Sequence, residues 1–202
     1  MKVKDYILTF DNVMKENLLF NFNYYCKNIK YDEAKIVGNK TIGSNDKKIR
    51  NTDIHDLNTR EAAPDIIYLS GVQKSFTKIH WNNILKNMIM LSAQRYQMDL
   101  KIPYSPISQI EDVTILRYLE GGHYILHCDY ATKFKRCLSF IFFVNDDYEG
   151  GELCFADPDY TNETIIKPKK NRVVIFPSNF MYPHKVNSVT KGIRYSVVSW
   201  LV

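Results

Sequence analysis

Three side chains in the second half of the chain are of the types that hold a metal through nitrogen and oxygen. His127 and Asp129 stand two apart with Cys128 between them, and His184 follows much later. If the stretch Tyr124–Asp129 is a β-strand, residues i and i+2 project from one side, so an imidazole and a carboxylate reach a common point. Cys128 would then face away, as a packing residue and not a ligand. A histidine, a carboxylate and a second histidine are ligands that stay charged or neutral as a divalent metal requires. A surface or core histidine is the ordinary alternative for each taken singly.

Two histidines and one carboxylate on one face of a small barrel form the facial triad that holds non-haem Fe(II) and leaves three coordination positions open. A fourth residue strengthens this reading. Arg194 lies ten residues beyond His184, in GIRYSVVSW, and a guanidinium fork binds a carboxylate bidentately without ever losing its charge. Ser196 shares its strand face and can donate a further hydrogen bond. If 2-oxoglutarate chelates the iron through its 1-carboxylate and keto oxygen, its 5-carboxylate needs such a partner deep in the barrel. A structural salt bridge at Arg194 is the competing explanation. His123 and His127 also read H-x-x-x-H, the spacing of zinc ligands on a helix, but Gly121-Gly122 and the alternation of YILHCDY oppose a helix. Tyr124 also stands where that motif needs an acid.

Positioning these groups falls to a run of short strands. From Ile110 onward eight segments have strand character, about Val113–Leu119, Tyr124–Asp129, Cys137–Asn145, Glu152–Phe155, Glu163–Lys167, Arg172–Phe176, Tyr182–Val189 and Ile193–Leu201. Turn residues such as Gly121-Gly122, Gly150-Gly151 and Lys191-Gly192 separate them. This spacing predicts an α+β protein whose core is a double-stranded β-helix, or jelly roll, of two facing four-stranded sheets. The first half supplies supports. A strand is expected over Asp5–Phe10 and a helix over Val13–Ile29, capped by Asp11 or Asn12, with Leu18, Phe22 and Tyr25 on one face. Lys35–Asn51 reads as a hairpin or turn, Asn51–Pro64 as a mobile loop and Asp65–Leu69 as a short strand. A second helix over Ile79–Tyr96, opened by Ser75 or Thr77, carries Trp81, Ile84, Leu85, Met88 and Leu91 or Ser92 as a core stripe. The helices would buttress one sheet from outside. The chain 1–202 is expected to be a single domain, with 1–109 supporting the 110–202 core.

Composition agrees with this picture. The chain has 202 residues, 45% of them hydrophobic, which is enough for a substantial core and argues against disorder. No apolar run is long enough to span a bilayer, and the start MKVKDYILTF reads as no secretory signal. Cys26, Cys128, Cys137 and Cys154 form no C-x-x-C pair and are expected to be reduced thiols of a cytoplasmic protein. A net charge of +5 spread over scattered lysines does not argue for a nucleic-acid partner. His55 and His80 have no evident partner.

The second half resembles the prolyl 4-hydroxylase-like branch of Fe(II)/2-oxoglutarate oxygenases, which includes small bacterial, viral and hypoxia-factor-type peptidyl hydroxylases. Y-x-x-G-x-x-Y-x-x-H-x-D is matched by Tyr118, Gly121, Tyr124, His127 and Asp129. RCLSFIFFVNDDYEGGELCF is similar to the family's strand, Asn-Asp turn and G-G-E-L-x-F hairpin. IIKPKKNRVVIFPS, MYPHKV and GIRYSVVSW follow in the family's order. The resemblance implies iron ligands His127, Asp129 and His184, and 2-oxoglutarate held by Arg194 with Tyr118. Tyr124 would line the iron pocket, and Ile141 and Trp200 would wall the cosubstrate site. It implies Fe(II), 2-oxoglutarate and O2 as requirements, with ascorbate a further candidate. Collagen-type enzymes carry a lysine at the position of Arg194, so the match leans to the hypoxia-factor and bacterial type. Phe143 departs from that type, which often has a tyrosine there, so one hydrogen bond to the 5-carboxylate must come from elsewhere, Tyr118 or Ser196 being candidates. The glycine turn before Tyr124 is also short.

The reaction implied is oxidative decarboxylation of 2-oxoglutarate to succinate and CO2, coupled to hydroxylation of an unactivated C–H in a proline-containing protein or peptide. Arg50, in KKIRNTD, and Arg136 are candidate substrate contacts, and the 51–64 segment a candidate lid. The rivals are the same chemistry on a free amino acid or nucleobase, and a non-catalytic jelly-roll binding module. Repair-type nucleobase oxygenases have a second arginine after the distal histidine, which is missing here.

Overall fold

The computed structural model of the chain describes residues 2–37, 42–44, 46–58, 75–103, 109–130, 135–157 and 162–202, with backbone alone at 36–37 and 42–44. The expected strand at Asp65–Leu69 and the 59–64 part of the expected loop lie outside these residues.

The N-terminal segment is split: a 3-10 turn over Val3–Tyr6 precedes strand β1 (Leu8–Asp11), where a single strand from Asp5 was expected. Helix α1 (Glu16–Asn28) then starts later than Val13. Neither Asp11 nor Asn12 caps it. Lys15 occupies that position without a side-chain hydrogen bond, and Asp11 instead pairs with Arg172 on the neighbouring strand. Glu16 in the first turn and Lys27 in the last suit the helix dipole, and Asn28 donates to the Tyr24 carbonyl. Strands β2 (Asp32–Glu33), β3 (Ile36–Val37), β4 (Ile42–Ser44), β5 (Arg50–Asn51) and β6 (Asp53–Asp56) follow. β3 and β4 pair as the expected hairpin. The expected loop is strand over its first part: Asn51 lies in β5, and residues 53–56 form β6. Helix α2 (Phe76–Asp99) exceeds the expected span at both ends. Ser75 caps it, its side chain accepting from the Lys78 amide.

The second half supplies β7 (Thr114–Tyr118), β8 (His123–His127), β9 (Leu138–Phe143), β10 (Glu149–Gly150), β11 (Leu153–Ala156), β12 (Glu163–Ile166), β13 (Arg172–Pro177), β14 (His184–Val186), β15 (Val189–Lys191) and β16 (Arg194–Leu201). The segment expected as one strand over Tyr182–Val189 is two, because β14 pairs with β8 and β15 turns aside to pair with β10. Among the described residues the strands form a seven-stranded sheet, ordered β1-β13-β9-β16-β7-β6-β2, and a five-stranded one, ordered β12-β11-β14-β8-β5. The sheets exceed the expected four strands each. The reason is that β1, β2, β5 and β6, from the first half of the chain, add to their edges.

Strand alternation sorts the large sheet into two faces. Phe140, Phe142, Val173, Ile175, Tyr195 and Val197 bury against α1 and α2, through Leu19, Phe22, Cys26, Trp81, Leu85 and Ile89. The opposite face, with Leu116, Tyr118, Ile141, Phe143, Val174 and Phe176, packs on Leu153, Phe155 and Val186 of the small sheet. The helices therefore back one sheet from outside. Of the expected helix stripe, Leu91 is solvent-exposed, while Ser92 is buried. The 3.6-residue period favours the latter, since it falls in line with Leu85, Met88 and Ile89. His55, which had no evident partner in the sequence, has two: its Nδ1 donates to the Lys30 carbonyl at 2.8 Å and its Nε2 lies 3.4 Å from the Tyr25 hydroxyl.

Candidate active site

Between the two sheets opens a cavity of about 370 Å³. Its walls come mainly from the inward faces of β7, β9 and β16, from Tyr124 and His127 of β8 and from His184 and Val186 of β14.

His184 stands directly opposite His127 across the antiparallel β14–β8 pair. Asp129 completes the group from an unexpected place. β8 ends at His127, and Asp129 sits in the bend beyond it, where the Tyr130 amide donates to the Ser178 carbonyl at 3.0 Å. The two residues therefore converge because the chain leaves the strand, and simple strand alternation does not bring them together. One donor atom from each of His127, Asp129 and His184 lies within 4.8 Å of the others. His127 Nε2 is 3.7 Å from Asp129 Oδ1, and His184 Nε2 is 3.6 Å from Asp129 Oδ2.

Each imidazole is oriented by its far nitrogen. Nδ1 of His127 lies 2.9 Å from the Ile125 carbonyl, and Nδ1 of His184 lies 3.0 Å from the Tyr182 carbonyl. A carbonyl can only accept, so Nδ1 carries the proton and Nε2 presents its lone pair to the shared centre. Burial, with the neighbouring His184, holds the His127 pKa well below its ordinary value, so the ring stays neutral. Burial opposes ionisation of Asp129. The facing His184 and His127 and hydrogen bonds from Ser139 and Trp200 outweigh it and hold the carboxyl below the usual range. Ser139 Oγ donates to Asp129 Oδ2 at 2.6 Å and lies 2.8 Å from Ser178 Oγ. Tyr124 stacks on His127 with ring centroids 3.7 Å apart.

At the other end of the cavity Arg194 is 1% exposed. It pairs in register with Tyr118, and its guanidinium carbon sits 4.7 Å from the Tyr118 ring and 5.1 Å from the Phe143 ring. Its Nε and Nη1, and Oγ of Ser196 beside it, are buried without any hydrogen-bond partner. A buried, permanently charged group that lacks an acceptor is unusual, because its desolvation is left uncompensated. An anion is what this end lacks.

The comparisons with known proteins address the same region. Residues 113–202 match the family described as the 2OG-Fe(II) oxygenase superfamily. This part of the chain is similar to a 2OG-Fe(II) oxygenase domain. Human prolyl 3-hydroxylase 2 is 44% identical over 66 residues, which cover 32% of this chain and 9% of that protein. A PKHD-type hydroxylase of Prochlorococcus marinus is 37% identical over 98 residues, or 46% of this chain and 42% of its own length. The chain thus spans less than half of these curated relatives. Among solved structures, a Pseudomonas putida prolyl-4-hydroxylase superposes with a TM-score of 0.64 at 16% identity, covering 96% of this chain and 91% of that one. A Trichoplax adhaerens prolyl hydroxylase, solved with a peptide fragment of a hypoxia-inducible factor oxygen degradation domain, gives 0.65 at 18% identity, covering 96% and 82%. These likenesses establish a shared fold.

The 2OG-Fe(II) oxygenase family uses Fe(II), 2-oxoglutarate and O2, and the cavity here has donors that fit them. Two neutral nitrogens and a carboxylate suit ferrous iron. The unpartnered Arg194 and Ser196 groups fit the far carboxylate of a dicarboxylic acid.

All eleven residues singled out in the sequence line this one cavity: His127, Asp129, His184, Arg194, Tyr118, Ser196, Tyr124, Ile141, Trp200, Arg50 and Arg136. Two of them differ in how they are held. The Arg50 guanidinium lies 4.8 Å over the Tyr124 ring, with Nε buried and unpartnered. Arg136 is committed inside the protein: it donates to Glu111 at 2.6 Å and to the Asp129 carbonyl at 3.2 Å, and it stacks 3.6 Å over Trp200. Sequence reasoning missed Ser139 and Ser178. A signal for Ser139 existed, since it is the lone polar residue sharing a face with Ile141 and Phe143 in LSFIFF. Ser178 had none, because its role depends on a crossing between segments remote in sequence.

Proposed function

We propose that this chain is a peptidyl prolyl hydroxylase: it hydroxylates an unactivated C–H of proline in a protein or peptide, consuming 2-oxoglutarate and O2 and releasing succinate and CO2. The observation that carries the reading is one cavity with a two-nitrogen, one-carboxylate donor set at one end and an unpartnered buried arginine at the other. The prolyl 3-hydroxylase among its relatives and the prolyl-4-hydroxylase among its structural neighbours support the substrate class. The strand orders β13-β9-β16-β7 and β12-β11-β14-β8 support a double-stranded β-helix of eight strands, with residues 1–109 as its support in a single domain.

In this reading His127, Asp129 and His184 hold Fe(II), which with bound 2-oxoglutarate and O2 supplies the oxidising power for C–H hydroxylation. Arg194, Ser196 and Tyr118 bind the 5-carboxylate, and that grip fixes the depth of the cosubstrate. Ile141 and Trp200 close the walls against water, and Tyr124 fixes the plane of His127. Arg50 lines the cavity with a buried, unused Nε–H, which suits it to a carbonyl or carboxylate of the substrate. Arg136 holds Asp129 in place through its carbonyl and is the weaker substrate contact of the two. All four cysteines are free thiols, which supports a reducing, cytoplasmic setting.

The test is turnover with Fe(II) and 2-oxoglutarate, with and without ascorbate, against proline-containing peptides, free proline and single-stranded DNA. Succinate release together with a one-oxygen mass gain on a prolyl residue is expected. Oxidation of free proline or a base instead would move the substrate class, and no 2-oxoglutarate consumption with any of them would favour a binding module.

A further inference from the structure

The chain carries a phenylalanine, Phe143, beside Arg194 where a hydroxyl would be expected, and the structure points to its replacement. Tyr148 lies in the turn between β9 and β10, within RCLSFIFFVNDDYEGGELCF but given no role above. Its Oη is buried and has no hydrogen-bond partner. So do Nε and Nη1 of Arg194 and Oγ of Ser196. Four polar atoms with donor capacity are thus left unsatisfied in one corner of the protein.

Gly151 shows how closely the two side chains approach. A Cβ placed there would stand 3.0 Å from Arg194 Cδ and 3.0 Å from Tyr148 Cε2. The absence of a side chain, at a φ of +65° that favours glycine, lets both pack over the same backbone. Burial pushes the phenol up to about 12, with the Arg194 charge and its nearby N–H groups opposing the rise. Tyr148 therefore remains a neutral donor over the same backbone as Arg194, its hydroxyl without a hydrogen-bond partner. The phenol oxygen can accept from a guanidinium N–H, but its own proton then still lacks an acceptor. A carboxylate, with two oxygens and no protons, accepts from both groups.

We propose that Tyr148 is a cosubstrate-binding residue: its hydroxyl donates to the 5-carboxylate of 2-oxoglutarate alongside Arg194 and Ser196, from a different strand connection than the position occupied by Phe143. The inference rests on the assignment of Arg194 to that carboxylate.

Calorimetric binding to the full chain loaded with Mn(II), which allows no turnover, separates the two claims. The probes are 2-oxoglutarate and 2-oxobutanoate, which keeps the chelating end and lacks the far carboxylate. Tyr148→Phe is expected to weaken 2-oxoglutarate by roughly 10-fold, the scale of one hydrogen bond to a charged group, while leaving 2-oxobutanoate and Mn(II) affinity unchanged. An unchanged Kd for 2-oxoglutarate, or an equal loss for both ligands, overturns the role of Tyr148. Arg194→Met is the control for the underlying assignment. If it too leaves 2-oxoglutarate binding intact, the anion end has been misread altogether; if it alone abolishes binding, only Tyr148 is dismissed.

Discussion

Ser139 Oγ lies 2.6 Å from Oδ2 of Asp129 and is itself buried between that carboxylate and Ser178. The bond anchors Oδ2 while the two oxygens of Asp129 face His127 and His184. Groups that hold a ligand in this way typically tune metal affinity by about 10- to 100-fold. Ser139→Ala is expected to weaken Fe(II) or Mn(II) binding by about 10-fold, with 2-oxoglutarate affinity at saturating metal unchanged. A metal titration monitored by calorimetry reads it directly.

Loss of a ligand should exceed that effect. His127→Ala and His184→Ala are each expected to lower metal affinity by more than about 100-fold, beyond the range of a supporting group, and to abolish succinate formation. Far-UV circular dichroism of His127→Ala should stay that of the parent; His184 also packs against Phe155 and Phe176, so His127→Ala is the cleaner of the two variants. Full turnover in His127→Ala would refute the donor assignment.

Arg194 gives a prediction of unusual sign. In the protein alone its charge is buried without an acceptor, so removing it takes away an uncompensated group. Arg194→Met is expected to leave the melting temperature of the metal-free protein equal or higher, while eliminating the rise that 2-oxoglutarate produces in the metal-loaded parent. A lower melting temperature without ligand would mean that Arg194 is a structural residue.

The two faces of β9 should separate stability from binding. Phe142 packs among the helices and Ile141 faces the cavity. Phe142→Ala is expected to cost about 3–5 kcal/mol of unfolding free energy with cosubstrate affinity retained. Ile141→Ala should cost less and weaken 2-oxoglutarate. Urea melts paired with calorimetry make the comparison.

Acid stability should draw on one surface cluster. Hydrogen bonds from Arg172 and then Lys169 hold the Asp11 carboxyl at about 2, below its ordinary 3.8. A depressed carboxyl stabilises the fold above its unfolded pKa and loses that contribution as pH falls towards 2. The pair is partly solvent-screened, so the amount is at most about 1 kcal/mol. Asp11→Asn should flatten the stability profile between pH 4 and 2 by that amount, measured by urea melts across the range.

The sequence by itself determined the candidate site residues and which face most strands turn inward. Its candidate donors, its arginine and its period-two strands are local facts. His127, Arg194 and the alternation in LSFIFF are readable because side-chain direction follows from backbone geometry one residue at a time. Asp129, by contrast, is brought in by the bend beyond β8. Its errors were at boundaries. The Asp11 cap, the Asp5 strand, the undivided Tyr182–Val189 strand and the all-loop 51–58 segment were each decided by a partner far along the chain, such as Arg172 for Asp11 and β7 for β6. Only the tertiary structure decided that His184 faces His127, that Ser139 and Ser178 brace a carboxylate, and that Tyr148 shares a corner with Arg194. Register across a sheet and the meeting of remote loops depend on the packing of the whole core, and no local pattern encodes them.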